Sequence, residues 1–244
     1  GDGTWQTDAV KDIGAFTGTP AHFMGGQTAA ESTHLADFTG DGIPDILWLW
    51  ESNNVSYCWP GNGDGTFQHA AIVKNGYTGG PSGPLPIGYT ANETTHIADV
   101  DNDGKLDIIW TWDAGVTVPT SGVYIWRGIG NGTFQTAAVT DLGSLTSSGV
   151  YNGTGGGNPV ALGGQSAQES SHVADLNGDG AVDLMWLYEP DNSSHVWLST
   201  DKDGDGISDN TDDDDDGDAI ADVSDPCESP GGVFPTLALW LRSD

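Results

Sequence analysis

The sequence predicts an all-β protein made of three four-stranded, propeller-type blades and an irregular C-terminal segment. Two observations indicate this: a seventeen-residue pattern occurs three times, and short apolar strands separated by glycine turns flank every copy. Regularly spaced short strands with turn signals are typical of all-β architectures. No segment shows a 3.6-residue apolar period of helical length. We therefore expect strands to supply the core.

The repeated unit runs from His34 to Trp50, from His96 to Trp112 and from His172 to Tyr188. Each copy begins His-x-Ala, passes through an Asp-rich loop with Gly at its sixth position, and ends in an apolar strand. Oxygen-bearing side chains stand at loop positions 1, 3, 5 and 9, a spacing that lets a short loop enclose a hard cation. The sequence thus predicts three calcium loops.

The predicted ligands follow the same positions in every copy, with the residue at position 7 included. They are Asp37, Thr39, Asp41, Ile43 and Asp45 in the first loop, Asp99, Asp101, Asp103, Lys105 and Asp107 in the second, and Asp175, Asn177, Asp179, Ala181 and Asp183 in the third.

Three repeats are predicted at about residues 1–62, 63–130 and 131–200, with a period of about 62 to 76 residues. Each is expected to hold four strands: one at Thr-Phe-Gln (Thr-Trp-Gln in the first), one at His-x-Ala, one after the loop, and a closing aromatic strand. The calcium loop would be the hairpin turn between the second and third strands. Gly42, Gly104 and Gly180 would take backbone angles that a Cβ disfavours. Such a period is typical of propeller blades.

On these residues the units resemble the FG-GAP or VCBS-type repeats of extracellular β-propellers, as in integrin α-subunits and bacterial surface proteins. The resemblance covers about residues 1–200. It rests on the Asp-x-[Asp/Asn/Thr]-x-Asp-Gly-x-x-Asp loop and the apolar strand that follows. It implies calcium-stabilised blades. Such propellers usually have about six or seven blades, so three depart from the pattern.

The phase of the repeats leaves two ends unmatched. Residues 1–6 have no preceding closing strand, and residues 194–199 run into Thr200 without a following Thr-Phe-Gln. The N-terminal piece can pair with residues 194–199 of its own chain, or with those of another copy to give a head-to-tail polymer by strand addition. The sequence leaves both open.

Residues 201–228 are predicted to be a second kind of calcium-binding element. Two loops thirteen residues apart carry Asp at positions 1, 3, 5, 9 and 12 and Ile at position 7. EF-hand and dockerin interpretations fail, because flanking helices have no room and position 12 is not Glu. The segment is similar to thrombospondin type 3 repeats, although Ala219 replaces a usual Gly. Its predicted ligands are Asp201, Asp203, Asp205, Ile207, Asp209, Asp212, Asp214, Asp216, Asp218, Ile220, Asp222 and Asp225.

Residues 229–244 are interpreted as a linker and the start of a further β domain. Because the chain begins at Gly1 without Met, we expect it to be a segment of a longer protein. Cys58 and Cys227 permit at most one internal disulfide.

The charge balance excludes some partners. The net charge is −30, whereas nucleic acid and anionic membranes select basic surfaces. No apolar run of 18 residues is present that would span a membrane. About five calcium ions are expected in all. Weak calcium loops would fill only where free calcium is near millimolar, which predicts an extracellular or cell-surface location.

Other recurring side chains have structural interpretations. His34, His96 and His172 are expected to be hydrogen-bonded residues of the blades. The strand aromatics, such as Trp48 and Trp110, are expected to pack between blades, with a glycan platform as the alternative and Trp59, Trp126 and Trp197 as its other candidates.

No nucleophile elbow, zinc-protease motif or phosphate loop occurs, so we predict that the chain is not an enzyme. A non-enzymatic, calcium-stabilised extracellular module for adhesion or assembly is the first hypothesis. Its partners would be copies of itself or other surface proteins. A calcium-dependent lectin that binds glycans is the second hypothesis, and a fragment of a hydrolase is the third.

Overall fold

The computed structural model describes residues 31–51, 54–78, 93–112, 122–138, 169–178, 180–188 and 193–199. Every regular element in these ranges is a strand, so the all-β prediction is confirmed for them. The ten strands are Glu31–Ala36 (β1), Asp45–Trp50 (β2), Val55–Trp59 (β3), Ile72–Asn75 (β4), Glu93–Ala98 (β5), Asp107–Trp112 (β6), Gly122–Trp126 (β7), Glu169–Ala174 (β8), Asp183–Tyr188 (β9) and Ser193–Trp197 (β10).

Each Asp-rich loop connects two neighbouring strands of one antiparallel sheet. The strand orders are β1-β2-β3-β4, β5-β6-β7 and β10-β9-β8. The last residue before the loop pairs with the Asp at position 9: Ala36 with Asp45, Ala98 with Asp107, and Ala174 with Asp183. The loop is therefore a hairpin turn, as its sequence predicts.

The predicted strand at Thr-Phe-Gln is wrong. Phe67 makes a single bridge to Gly61, and the outer strand of the first sheet is β4, which pairs with β3. The glycine turn is the physical reason. Asn62 N–H donates to the Thr66 carbonyl at 2.9 Å and Gln68 N–H donates to the Pro60 carbonyl at 2.8 Å, so the segment closes a tight turn. Strand pairing resumes only at β4.

The described parts of the second and third sheets have three strands. The fourth strand of the first sheet, β4, lies within the predicted second repeat (63–130), so the one four-stranded sheet of the described residues combines strands of two predicted repeats. The described residues form no closed ring of blades. The predicted elements at residues 1–30, 201–228 and 229–244 lie outside the described residues, as does Cys227.

The three sheets pack face to face in series. Leu47, Leu49 and Cys58 of the first sheet form a buried cluster with Ile108, Trp110 and Trp126 of the second. The opposite face of the second sheet, through Ile109 and Ile125, packs against Leu184 of the third. Because side chains alternate between the two faces of a strand, both faces of the second sheet are covered.

Aromatic rings line the other face of the first sheet. Trp50 and Trp48 stack at 5.3 Å between ring centroids, Trp48 and Tyr57 at 5.2 Å, and Tyr57 and Trp59 at 5.9 Å. Trp48, Tyr57 and Trp59 are buried. Offset aromatic pairs at such separations contribute about 0.5–1.5 kcal/mol each beyond their area burial.

Within the described ranges, no helix has the length and apolar character needed to cross a membrane.

Candidate metal sites

The first Asp of each loop organises the backbone of that loop. Asp37 accepts N–H bonds from Gly40 and Gly42, both at 2.7 Å, and from Asp41 at 3.1 Å. The Gly at position 6 donates likewise in the other copies, from Gly104 to Asp99 at 2.9 Å and from Gly180 to Asp175 at 3.2 Å.

The glycine at position 6 is required by its backbone angle. Gly42, Gly104 and Gly180 have φ of 82°, 80° and 94°, in the left-handed region that residues with a Cβ seldom adopt. The prediction made for these three glycines from the sequence is confirmed.

The Asp at position 9 fastens the loop to the closing strand. Asp45, Asp107 and Asp183 are buried, and each uses both carboxylate oxygens for backbone N–H groups. The Oδ2 atoms accept from position 2 of the loop: Phe38 at 2.9 Å, Val100 at 2.9 Å and Leu176 at 2.8 Å. The Oδ1 atoms accept from the second residue after the closing strand: Gly61 at 2.9 Å, Gly128 at 2.6 Å and Ser199 at 2.9 Å.

This role was not predicted from the sequence, which suggested position 9 only as a ligand. The glycines after the closing strands were the available signal. A Cβ on Gly61 would lie 2.3 Å from the Pro44 carbonyl oxygen, and one on Gly128 would lie 2.3 Å from the Leu106 carbonyl oxygen. The end of the closing strand is thus pressed directly against the loop.

The second loop gathers carboxylates most closely. Asp99, Asp101 and Asp107 each place one oxygen within 4.8 Å of the others, the one group of this kind in the part of the chain that the structure describes. Asp101 is 9% exposed. Asp99 Oδ1 and Asp101 Oδ1 are buried and have no hydrogen-bond partner among the described residues. Buried oxygens of this type fit a hard cation.

Carboxylate crowding in the second loop disfavours the charged forms. Burial raises the pKa of Asp107 to about 6, and the charges of Asp101 and Asp99 add to this effect. Burial also raises the pKa of Asp99, again with neighbouring carboxylates acting in the same direction. In the first loop, burial acts to raise the pKa of Asp37, but four backbone hydrogen bonds outweigh it and the pKa is lowered.

Two cationic side chains border the second loop. Arg127 Nη1 lies 2.8 Å from Asp101 Oδ2, and Lys105 forms an ion pair with Asp103. Arg127 follows β7, so the pairing of β6 with β7 carries it to the loop. Arg127 was not among the residues predicted from the sequence, and its position directly after the closing Trp126 was the available signal.

Among the described residues, the predicted ligands of the first and third loops do not form a group of three carboxylates like that of the second loop. In the first loop, Thr39 stands at position 3, and its Oγ1 is buried without a hydrogen-bond partner in the described part of the chain. The same holds for Oδ1 of Asp101, at position 3 of the second loop. In the third loop, Asp179 lies outside the described residues. The twelve ligands predicted within residues 201–225 also lie outside them.

The recurring histidines have hydrogen-bond partners, as expected. The Nε2 atoms of His34, His96 and His172 lie 3.0, 2.9 and 3.0 Å from serine Oγ atoms. The partner of His96 is Ser171, so this bond joins the second sheet to the third. Burial lowers the pKa of His34 and of His96 to about 4, which keeps both rings neutral near pH 7.

The candidate glycan platform is largely inaccessible. Trp59 and Trp126 are fully buried, and Trp197 is half-buried and stacks on His195 at 6.1 Å. Trp48 and Trp110 are buried as well, which agrees with packing roles. Cys58 is a buried free thiol, and burial raises its pKa to about 12.

Three sheets with Asp-Gly hairpin loops, each tied to its closing strand by a buried Asp, define a class of β-repeat with an Asp-rich hairpin loop. The family model of the FG-GAP-like repeat matches residues 37–110 and 99–186. The chain therefore belongs to the FG-GAP-like repeat family.

No curated protein matches the chain. Among solved structures, the chain is similar to a lectin of Agrocybe aegerita that is described as specifically recognising non-reducing terminal N-acetylglucosamine. The identity is 26%, the TM-score is 0.39, and the alignment covers 65% of this chain and 33% of that one. The chain thus spans about a third of the length of that lectin.

Proposed function

We propose that this chain is a non-enzymatic, calcium-stabilised extracellular module that serves adhesion or assembly. The observation that carries the proposal is the second loop, where three carboxylates converge and two of their buried oxygens lack hydrogen-bond partners in the described part of the chain. Their mutual repulsion and burial call for positive charge, which Arg127 supplies at Asp101 Oδ2 only and which a divalent cation would complete.

The role of calcium is structural in this proposal. An ion in the loop would hold β5 and β6 in a rigid hairpin. With a dissociation constant of about 10⁻⁴ M and free calcium of about 10 mM, each site would add roughly 2.7 kcal/mol to the free energy of unfolding. Free calcium near millimolar, about tenfold above that dissociation constant, occurs outside cells. Extracellular placement also agrees with the FG-GAP-like family and the net charge of −30.

Thermal unfolding with and without calcium tests the proposal. We expect chelation to lower the melting temperature of the wild-type chain by about 10 °C or more, since one site alone is worth roughly 5–10 °C in a domain of this size. Asp99→Asn should reduce that difference by about 5 °C. The matched control is Asp64→Asn, because Asp64 is an exposed carboxylate in the glycine turn after β3. This substitution should leave the difference in melting temperature unchanged. Equal melting temperatures in calcium and chelator would refute the proposal.

We include assembly because the phase of the repeats leaves residues 1–6 and residues 194–199 without matching partners in the sequence. Within the described residues, the outer edge of β3 pairs with β4, whereas β7 pairs with β6 alone and β10 pairs with β9 alone. A strand from another copy can extend such an edge through backbone hydrogen bonds. The second hypothesis, a calcium-dependent lectin, finds no exposed platform at Trp59 or Trp126.

A further inference from the structure

The second loop differs from the other two in carrying its own cations. The whole chain has six Lys and Arg residues, and two of them, Lys105 and Arg127, border this loop. The residues at the position of Lys105 in the other repeats are Ile43 and Ala181. Those at the position of Arg127 are Pro60 and Leu198. The cations are thus a property of the second repeat and not of the common pattern.

An additional acid accompanies these cations. Position 3 is Asp101 in the second loop but Thr39 and Asn177 in the others. The second loop therefore combines four carboxylates with two cations, for a charge of −2, whereas the first and third loops have three carboxylates and a charge of −3. The extra carboxylate and the guanidinium that pairs with it occur together.

The contacts hold both cations at the loop. Arg127 Nη1 lies 2.8 Å from Asp101 Oδ2, and the side chain of Asp101 is only 7% exposed. The stem of Lys105 lies across the glycine turn after β7, since a Cβ on Gly130 would be 2.8 Å from its Cδ atom. In the first repeat Ile43 packs on Gly61 and Gly63 in the same way. Lys105 thus adds a charge to a packing contact shared with the first repeat.

We propose that Arg127 is a resident counter-cation that stabilises the second loop without a divalent ion and sets its calcium affinity. This inference rests on the proposed function. Arg127 pairs with Asp101 Oδ2, and Oδ1 is buried without a hydrogen-bond partner among the described residues, so a calcium ion in this loop must share Asp101 with the guanidinium or displace it. The second loop then binds calcium more weakly than the first and third, and it is the loop that best keeps its shape at low calcium.

A site-resolved calcium titration tests this. The position-6 amides of Gly42, Gly104 and Gly180 each donate to the first Asp of their loop, so their ¹⁵N–¹H NMR signals report the three loops separately. In the wild-type chain Gly104 should respond at higher calcium than Gly42 and Gly180. In Arg127→Leu, which installs the residue of the third repeat, Gly104 should respond at roughly tenfold lower calcium.

Lys74→Leu is the matched control. Lys74 lies on β4 and donates to Thr136 Oγ1 at 2.8 Å. Lys74→Leu therefore makes the same change in net charge as Arg127→Leu and leaves the second loop unaltered. Lys74→Leu should leave unchanged the order in which the signals of Gly42, Gly104 and Gly180 respond to calcium. In chelator, Arg127→Leu should also lower the melting temperature by about 5 °C, because Asp101 is left as a buried, unpaired carboxylate, and calcium should restore it.

The outcomes separate the two proposals. If none of the three glycine signals responds to calcium, the proposed function fails. If they respond but Gly104 does so first, or if Arg127→Leu leaves its midpoint unchanged, the counter-cation inference alone is overturned. Should Arg127→Leu not fold in chelator, Asp101→Asn/Lys105→Ala carries the test, compared with and without Arg127→Leu. With Arg127→Leu the second loop has the charged residues of the third, and its Gly104 should titrate together with Gly180; with Arg127 retained it should titrate at higher calcium. Equal Gly104 midpoints in the two variants would contradict the inference.

Discussion

At the scale of single residues, the Asp at position 9 bonds to two parts of the backbone, whereas the sequence pattern predicts it only as a metal ligand. Its two oxygens accept backbone N–H bonds from the loop and from the end of the closing strand, as in Asp45 with Phe38 and Gly61. Hydrogen bonds to a charged acceptor contribute about 1.5–3 kcal/mol each. A buried carboxylate satisfied in this way stabilises the hairpin even before any ion binds.

The glycine after the closing strand gives a prediction at this scale. Gly61→Ala would place a Cβ 2.3 Å from the Pro44 carbonyl oxygen, so strand and loop must separate, and Gly61 N–H must draw away from Asp45. We expect the free energy of unfolding to fall by about 3 kcal/mol. Urea denaturation monitored by tryptophan fluorescence measures it.

Gly76→Ala serves as the comparison. Gly76 has a φ of 77°, but a Cβ at this position would meet no atom within 4 Å. Only backbone strain therefore opposes the substitution, at a cost of about 1–2 kcal/mol. If Gly61→Ala costs no more than Gly76→Ala, the close contact between closing strand and loop is not important for stability.

The sequence predicted the residues that act locally and missed those that act across strands. The position-6 glycines were foreseen because their backbone angle follows from the loop itself. Arg127 was not, because it lies 26 positions after Asp101 and reaches it only through the pairing of β6 with β7. The second oxygen of Asp107 was missed for the same reason, since its partner is Gly128.

At the scale of elements, the hairpins were predictable and the outer strands were not. An eight-residue connection joins β1 to β2, and Ala36 pairs with Asp45 across it, so the predicted hairpin turn is present. The Thr-Phe-Gln segment has the composition of a strand, but the preceding glycine turn makes it a single bridge. Its pairing depends on backbone geometry that apolar alternation does not encode.

The edge of β10 gives the prediction at this scale. If the N-terminal strand of one copy adds to β10 of the next, the chain should form calcium-dependent polymers visible by sedimentation velocity and electron microscopy. Removing residues 1–8 should leave folded protomers that no longer polymerise, while removing residues 237–244 should not affect assembly. A wild-type chain that sediments as a monomer at millimolar calcium would exclude this form of assembly.

At the scale of the whole molecule, the three sheets pack in series, and the outer face of the third sheet is more exposed than the corresponding face of the first. Leu47 and Leu49 of the first sheet are fully buried, whereas Leu187 and Val196 on the same face of the third are 36% and 47% exposed. The described residues form three sheets, and the family model matches two overlapping segments of the chain. Whether the sheets close into a ring was not predictable, because closure depends on contacts between sheets and not on the pattern within one.

The account depends on calcium as a structural component, and calorimetric titration of calcium into the chelator-treated chain tests this most directly. Saturable binding of several ions is predicted, with half-saturation near 10⁻⁴ M, because each loop offers a partly preformed set of oxygens and free calcium outside cells is about tenfold higher or more. A chain that remains folded by circular dichroism yet shows no saturable binding up to about 10 mM calcium would contradict the account.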